Sequence, residues 1–205
     1  MSSSPIRYTV VWDRGLGPRA SIRYRFFSWE DLSLFLRVDY RVTKGPGAAF
    51  ESEYASPSDR TTFVTRSYGS FDKVVPDERS WKRYRLQGLL EHESQDGKTS
   101  LKASWDKYHD LKMISDLPSS DFVINTQKRN QVFLSHFEDS AFATLLLEPR
   151  LNNFESINQK LPEIKAGVRP ISLGRTGLML DNFLKAGYLN YVYANDLLGA
   201  YPALQ

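Results

Sequence analysis

The run Ser135-His-Phe-Glu-Asp-Ser-Ala-Phe-Ala-Thr-Leu-Leu-Leu-Glu-Pro149 separates two architectures for this chain. Ser135 and Glu138 stand at capping-box spacing, in which the serine oxygen and the glutamate carboxylate each take a backbone N–H left free at a helix start. Phe137, Phe142, Leu145 and Leu146 then supply an apolar stripe, and Pro149 ends it. Read this way, the run is a helix that opens a mainly helical C-terminal portion, residues 135–205. Further helices are expected near Glu155 to Leu161, over Gly177 to Ala186 with Gly187 as the stop, and near Ala194 to Leu198.

Upstream the pattern is that of strands. Ile6-Arg-Tyr-Thr-Val-Val-Trp12 is rich in β-branched and aromatic residues, and Asp13-Arg-Gly-Leu-Gly-Pro-Arg19 reads as a hairpin loop. On the return, Ile22, Tyr24 and Phe26 alternate with Ser21, Arg23 and Arg25. Period two then places the rings inward and the guanidinium groups outward. Ser28-Trp-Glu-Asp31 has the composition of a helix start, continued by Leu32, Phe35 and Leu36 and stopped at Gly45-Pro46-Gly47.

Beyond that helix, Thr61 to Tyr68 is a strand, and Arg85 to Glu93 pairs with Thr99 to Lys107 through a turn at Asp96-Gly97. A third hairpin joins Asp121–Asn125 to Gln131–Leu134. The expected fold class is therefore α+β, an antiparallel sheet of N-terminal hairpins with a helical C-terminal portion packed against it. Residues 1–134 form the hairpin-rich β portion with one helix, residues 135–205 the helical portion, and both belong to one compact domain.

With no cysteine among 205 residues, disulfides, thiolate metal sites and cysteine nucleophiles are excluded. The start Met1-Ser-Ser-Ser-Pro5 has no secretory signature, and the apolar stretch Ala141 to Leu147 is too short for a membrane-spanning helix. The expectation is an intracellular, cytoplasmic chain that is not secreted and has no membrane partner. His92, His109 and His136 lack metal-ligand spacing, and a turn at Asp96-Gly97 sets His92 opposite Leu101 and His109 opposite Tyr84, well apart. No nucleophile elbow or phosphate loop occurs, so no catalytic residue, cofactor or metal is assigned.

Charge is distributed unevenly. Residues 1–27 hold Arg7, Arg14, Arg19, Arg23 and Arg25 against Asp13 alone, whereas residues 135–205 hold six basic and seven acidic side chains. Arg79-Ser-Trp81-Lys82-Arg83-Tyr84-Arg85 adds four cations and two rings within seven residues, the mixture that neutralises phosphates and stacks on bases. Gly174-Arg175-Thr176-Gly177, ahead of an expected helix, offers backbone N–H groups to an anion. Over Leu173 to Leu180 it resembles the Gly-x-x-Gly clamp of the KH family of RNA-binding modules, a likeness that implies contact with a nucleic-acid backbone.

These features lead to a non-catalytic nucleic-acid-binding protein, DNA or RNA being its partner. The alternative is a structural or assembly protein, such as a virus or phage particle subunit, that self-associates through the aromatic surface of segments like Tyr188 to Tyr201.

Overall fold

The computed structural model describes residues 4–13, 17–73, 82–113 and 130–195. Among these the chain forms eleven β-strands and no helical element: β1 (Ile6–Asp13), β2 (Gly17–Trp29), β3 (Leu32–Arg41), β4 (Gly45–Ala55), β5 (Thr61–Phe71), β6 (Lys82–Glu93), β7 (Thr99–Tyr108), β8 (Gln131–Phe137), β9 (Ala141–Glu148), β10 (Ile157–Ser172) and β11 (Met179–Val192). Each strand lies beside its predecessor in one antiparallel sheet, ordered β1 to β11. Two compact units divide the chain, Met1–Leu89 with Trp105–Lys128, and Leu90–Ser104 with Arg129–Gln205.

The α+β expectation, with its helical C-terminal portion, is corrected here: the chain is all-β. Ser135 lies within β8, paired with Thr144, and Glu138 opens the hairpin turn between β8 and β9, closed by its amide donating to the Ala141 carbonyl at 2.8 Å. The Glu138 carboxylate reaches Lys98 Nζ at 2.5 Å, across to the β6–β7 turn, instead of capping a helix. Helical spacing misleads in β9 because both of its faces are apolar. Phe142 and Leu146 share one face, and Ala143, Leu145 and Leu147 share the other, so no alternation betrays the strand. The expected helix over Gly177 to Ala186 is β11, entered from a turn at Gly174–Gly177, and the expected helix over Glu155 to Leu161 is largely β10.

The helix expected after Ser28 is also absent. Trp29 pairs with Leu32, which leaves Glu30 and Asp31 as a two-residue hairpin turn with Glu30 at φ 45°. The acids that resembled a first helical turn are turn residues. Gly45, expected to stop the helix, opens β4 at φ 126°, where an added Cβ would stand 2.4 Å from the Phe71 carbonyl oxygen.

Several hairpins agree with the reading of the sequence. Arg7 pairs with Arg23, and the β6–β7 register sets the His109 amide on the Tyr84 carbonyl at 2.9 Å. The hairpin strand expected at Asp121–Asn125 lies outside the described residues.

Candidate functional site

Strand alternation sorts the first unit into two faces of opposite chemistry. Register places Ile6, Tyr8, Val10 and Trp12 of β1 on one face with Ile22 and Tyr24 of β2, Leu36, Val38 and Tyr40 of β3, and Ala48 and Phe50 of β4. The other face carries Arg7, Arg19 and Arg23, then Arg37, Asp39 and Arg41, then Glu51 and Glu53, with Arg66 opposite Glu51 on β5. Over β1–β5 the first face bears no charged residue.

Burial is inverted with respect to a water-soluble fold, where Arg, Asp and Glu are the residues least often enclosed. Tyr8 is 80% exposed, Val10 78% and Trp12 76%, whereas Asp39 and Glu51 are each 1% exposed. The rings of Tyr24 and Phe26 were expected inward and Arg23 outward. The periodicity holds, yet Ile22, Tyr24 and Phe26 are the exposed side chains and the Arg23 side chain retains only 16% of its exposure.

Charges on the polar face are held in three groups, two networks and the smaller set around Asp106. In one, Arg23 donates from Nε to Glu51 at 2.6 Å and from Nη2 to Glu53 at 2.5 Å, with its guanidinium 3.5 Å above the Phe35 ring. Arg37 approaches the other Glu51 oxygen at 2.8 Å. In the second, Asp72 accepts from Arg41 and, at 2.5 Å, from Arg83. Arg83 also grips Asp110 with both Nε and Nη2, at 2.7 and 2.6 Å. Arg85 donates to both oxygens of Asp106, one of which also accepts from Gln87 at 3.2 Å.

Several ties pass over an intervening strand: Arg23 on β2 reaches Glu51 and Glu53 on β4, Arg41 on β3 reaches Asp72 after β5, and Tyr68 on β5 donates to Asp39 on β3 at 3.0 Å. The last crossing depends on Gly47. A Cβ there would lie 2.1 Å from the Tyr68 hydroxyl, so the absence of a side chain on β4 is what admits the phenol.

On the apolar face two polar groups satisfy each other. Ser52 and Thr65, opposite each other, share a hydrogen bond of 2.6 Å. Gly88 makes room for Trp105, whose ring would stand 1.9 Å from an added Cβ, and Trp105 in turn meets Phe63 at a centroid distance of 6.4 Å. Aromatic residues mark both ends of the face: Trp12, Tyr40 and Phe71 at one, Trp29, Tyr54 and Phe63 at the other. From Leu32 to Tyr40 the strand rises roughly 26 Å at its usual advance per residue.

The second unit, taken alone, repeats the contrast more weakly. Leu134, Leu145, Ile164 and Leu184 share a face, while Ser135, Thr144, Lys165 and Lys185 share the other. Lys160 pairs with Glu148 at 2.9 Å, Lys185 pairs with Glu163 at 3.1 Å, and Lys165 lies 4.3 Å above the Phe183 ring.

Arg14, Arg79 and Trp81 lie outside the described residues. Arg7, Arg19, Arg23 and Arg25 do share a face of the first hairpin, as the sequence implies. Arg83 and Arg85, however, are buried in ion pairs, Lys82 is exposed at the start of β6, and Tyr84 points to the apolar side with its ring 5.6 Å from His109. Gly174–Gly177 forms the β10–β11 turn, where Thr176 Oγ1 donates to the Leu173 carbonyl at 2.6 Å. It opens a strand, so no helix dipole faces Arg175. Among the described residues no cluster of three or more metal-ligating side chains occurs.

The residues missed by sequence reasoning are the carboxylates Asp39, Glu51, Asp72, Asp106 and Asp110, which carry the polar face. A signal was present in Leu36-Arg-Val-Asp-Tyr-Arg41, where apolar and charged residues alternate without a break. No protein-family model matches this sequence, and no curated protein matches it.

Proposed function

We propose that the chain builds part of the wall of a membrane-spanning antiparallel β-sheet of the barrel type, with its charge-free face against lipid and its ion-paired face toward a polar interior. The charge-free apolar face of β1–β5 carries this reading. In water, so broad an exposed apolar surface is a liability. In a bilayer the same surface is the required one, an outward apolar band about 25 Å tall flanked by aromatic girdles, and the stretch from Leu32 to Tyr40, roughly 26 Å long, rises about 20 Å of that height at the tilt of such strands.

The earlier expectation of no membrane partner rested on the lack of a long apolar run. Among the described residues no helix is long and apolar enough to cross a membrane, a fact that has no bearing on strands. A strand spans with about 9–11 residues, and β3 and β4 have 10 and 11.

Cysteine scanning tests the proposal directly, since the chain has none of its own. Nitroxides at Val38→Cys and Phe50→Cys, in the chain refolded into phosphatidylcholine vesicles, are expected to collide with oxygen and to be shielded from a water-soluble relaxant. At Arg7→Cys, an exposed position on the polar face, the order reverses. A chain that stays monomeric in detergent-free buffer, with both sets of labels in water, would overturn the reading.

Two other proposals concern the same surfaces. Nucleic-acid binding gains support from Arg7, Arg19, Arg23 and Arg25 sharing one face, and loses charge to the carboxylates that hold Arg23, Arg83 and Arg85. Its test is affinity for DNA or RNA that falls steeply with salt. Self-association would instead cover the apolar face with protein, giving large particles by light scattering without lipid or detergent.

A further inference from the structure

The apolar face is free of charge over β1–β5, but within the first unit it changes character on the strands that follow. Arg83 and Arg85 turn to the polar side, so Lys82, Tyr84 and Leu86 turn to the apolar one. Asp106 and Asp110, bound by Arg85 and Arg83, likewise leave Lys107 and His109 on the apolar side. The His109 amide donates to the Tyr84 carbonyl and Trp105 fills the space over Gly88, a register that sets Lys107 opposite Leu86. Lys82 and Lys107 are both exposed, one on either side of the edge-on pair of Tyr84 and His109.

Lys107 is the informative member. The carboxylates nearest to it in sequence lie on the opposite face, and among the described residues none pairs with it. Its depth follows from the polar side. Asp72 accepts from both Arg41 and Arg83, so their neighbours Tyr40 and Tyr84 stand near one level, at one aromatic end of the face. Lys107 lies two residues nearer the middle of the strand than His109, roughly 7 Å along it. Against lipid this puts a cation inside the aromatic belt, a place that disfavours lysine unless its ammonium climbs along its own stem to a polar partner.

The two ends of the unit also differ in sign. Lys82 and Lys107 stand toward the Tyr40 end, where Lys73 Nζ lies 5.9 Å from the Tyr40 ring. At the other end the β2–β3 and β4–β5 turns hold Glu30, Asp31 and Asp59 against Arg60. Charge complementarity therefore directs the Tyr40 end toward anionic headgroups.

We propose that Lys107 and Lys82, on either side of Tyr84, bind the phosphate of an anionic membrane lipid in the leaflet that meets the Tyr40 end. The site rests on the membrane reading above. A lipid fits both halves of the surface: its phosphate meets the two ammonium groups, the Tyr84 ring sits at headgroup level, and Leu86 and Trp105 lie below it beside the acyl chain. A small dissolved anion would leave that lower half uncovered.

Quenching by lipids with a nitroxide on the acyl chain tests the site in the full chain, refolded into phosphatidylcholine vesicles with a dansyl label at Leu86→Cys. Nitroxide-bearing phosphatidylglycerol is expected to quench at an about fivefold lower mole fraction than the phosphatidylcholine analogue, the attraction that one lysine exerts near an anionic surface. Lys107→Gln removes this preference and Lys107→Arg keeps it. A label at Val38→Cys, on the charge-free part of the face, shows none, and glycerol phosphate at equal ionic strength leaves the preference at Leu86 in place. Equal quenching by the two lipids at Leu86, the same preference at Val38, survival of the preference in Lys107→Gln, or its loss to glycerol phosphate would each overturn the proposal. Should Lys107→Gln not fold, the contrast between the Leu86 and Val38 labels decides alone. Labels at both positions quenched by neither lipid would instead sink the membrane reading, so the two failures are told apart.

Discussion

Arg83 donates from Nη1 to Oδ2 of Asp72 at 2.5 Å, although neither side chain keeps more than 4% of its exposure. Asp72 also receives Arg41, so one carboxylate serves two buried cations. Removing it takes from the buried Arg41 its short partner, with Asp39 left 3.8 Å away, and leaves Arg83 to Asp110 alone. Asp72→Ala is expected to cost about 3–5 kcal/mol of unfolding free energy, the range for breaking a buried pair. Guanidinium unfolding followed by tryptophan fluorescence measures it, and a loss below about 1 kcal/mol would show that the pair is not enclosed as described.

Val38, in the middle of β3, is 60% exposed on the apolar face. On the surface of a soluble protein Val38→Arg would change stability by no more than about 0.5 kcal/mol. Facing lipid near mid-bilayer it is expected to cost about 2–4 kcal/mol. Reversible refolding into vesicles, compared with Arg7→Ala at an exposed position of the polar face, separates these outcomes.

Gly88→Ala is expected to displace the Trp105 indole, because the new methyl group would fall inside the ring. Overpacking of this kind costs about 1–3 kcal/mol. A shift in tryptophan emission accompanies the loss, and the loss of stability should be recovered in part by Trp105→Leu in the same chain.

Asp110, just after β7, supplies a pH signature. Burial pushes its carboxyl upward, but the two hydrogen bonds and the positive charge of Arg83 outweigh this and hold it below the usual 3.8. A depressed carboxylate adds stability that is fully present above its unfolded value and is lost as pH falls through the folded one. Asp110→Asn is expected to remove that acid-side slope and, since the side chain is 34% exposed and screened, to cost about 1 kcal/mol at pH 7. Unchanged steepness below pH 4 in the variant would assign the slope elsewhere.

Strands are legible in the sequence where a single face is apolar. Ile22, Tyr24 and Phe26 against Ser21, Arg23 and Arg25 give the period at once. What the period cannot disclose is which face is enclosed, and the default assumption that the rings are the buried side inverted the assignment. Helices were expected where both faces of a strand are apolar, as in Phe142 to Leu147, or where turn acids such as Glu30 and Asp31 imitate a cap. The carboxylate partners of the arginines stayed hidden because they are remote in sequence: Arg23 and Glu51 are 28 residues apart, Arg41 and Asp72 31.

The bonds that leap over a strand also bear on how this sheet yields to force. Backbone ladders alone let a ribbon unzip from its border, each strand departing without disturbing any but its neighbour. Here tension on β2 is handed through Arg23 to β4, and tension on β3 through Arg41 to the segment beyond β5. Strands β2 to β5 are thus clamped in overlapping groups of three, and force applied to them should release several strands in one abrupt step on a force-extension trace.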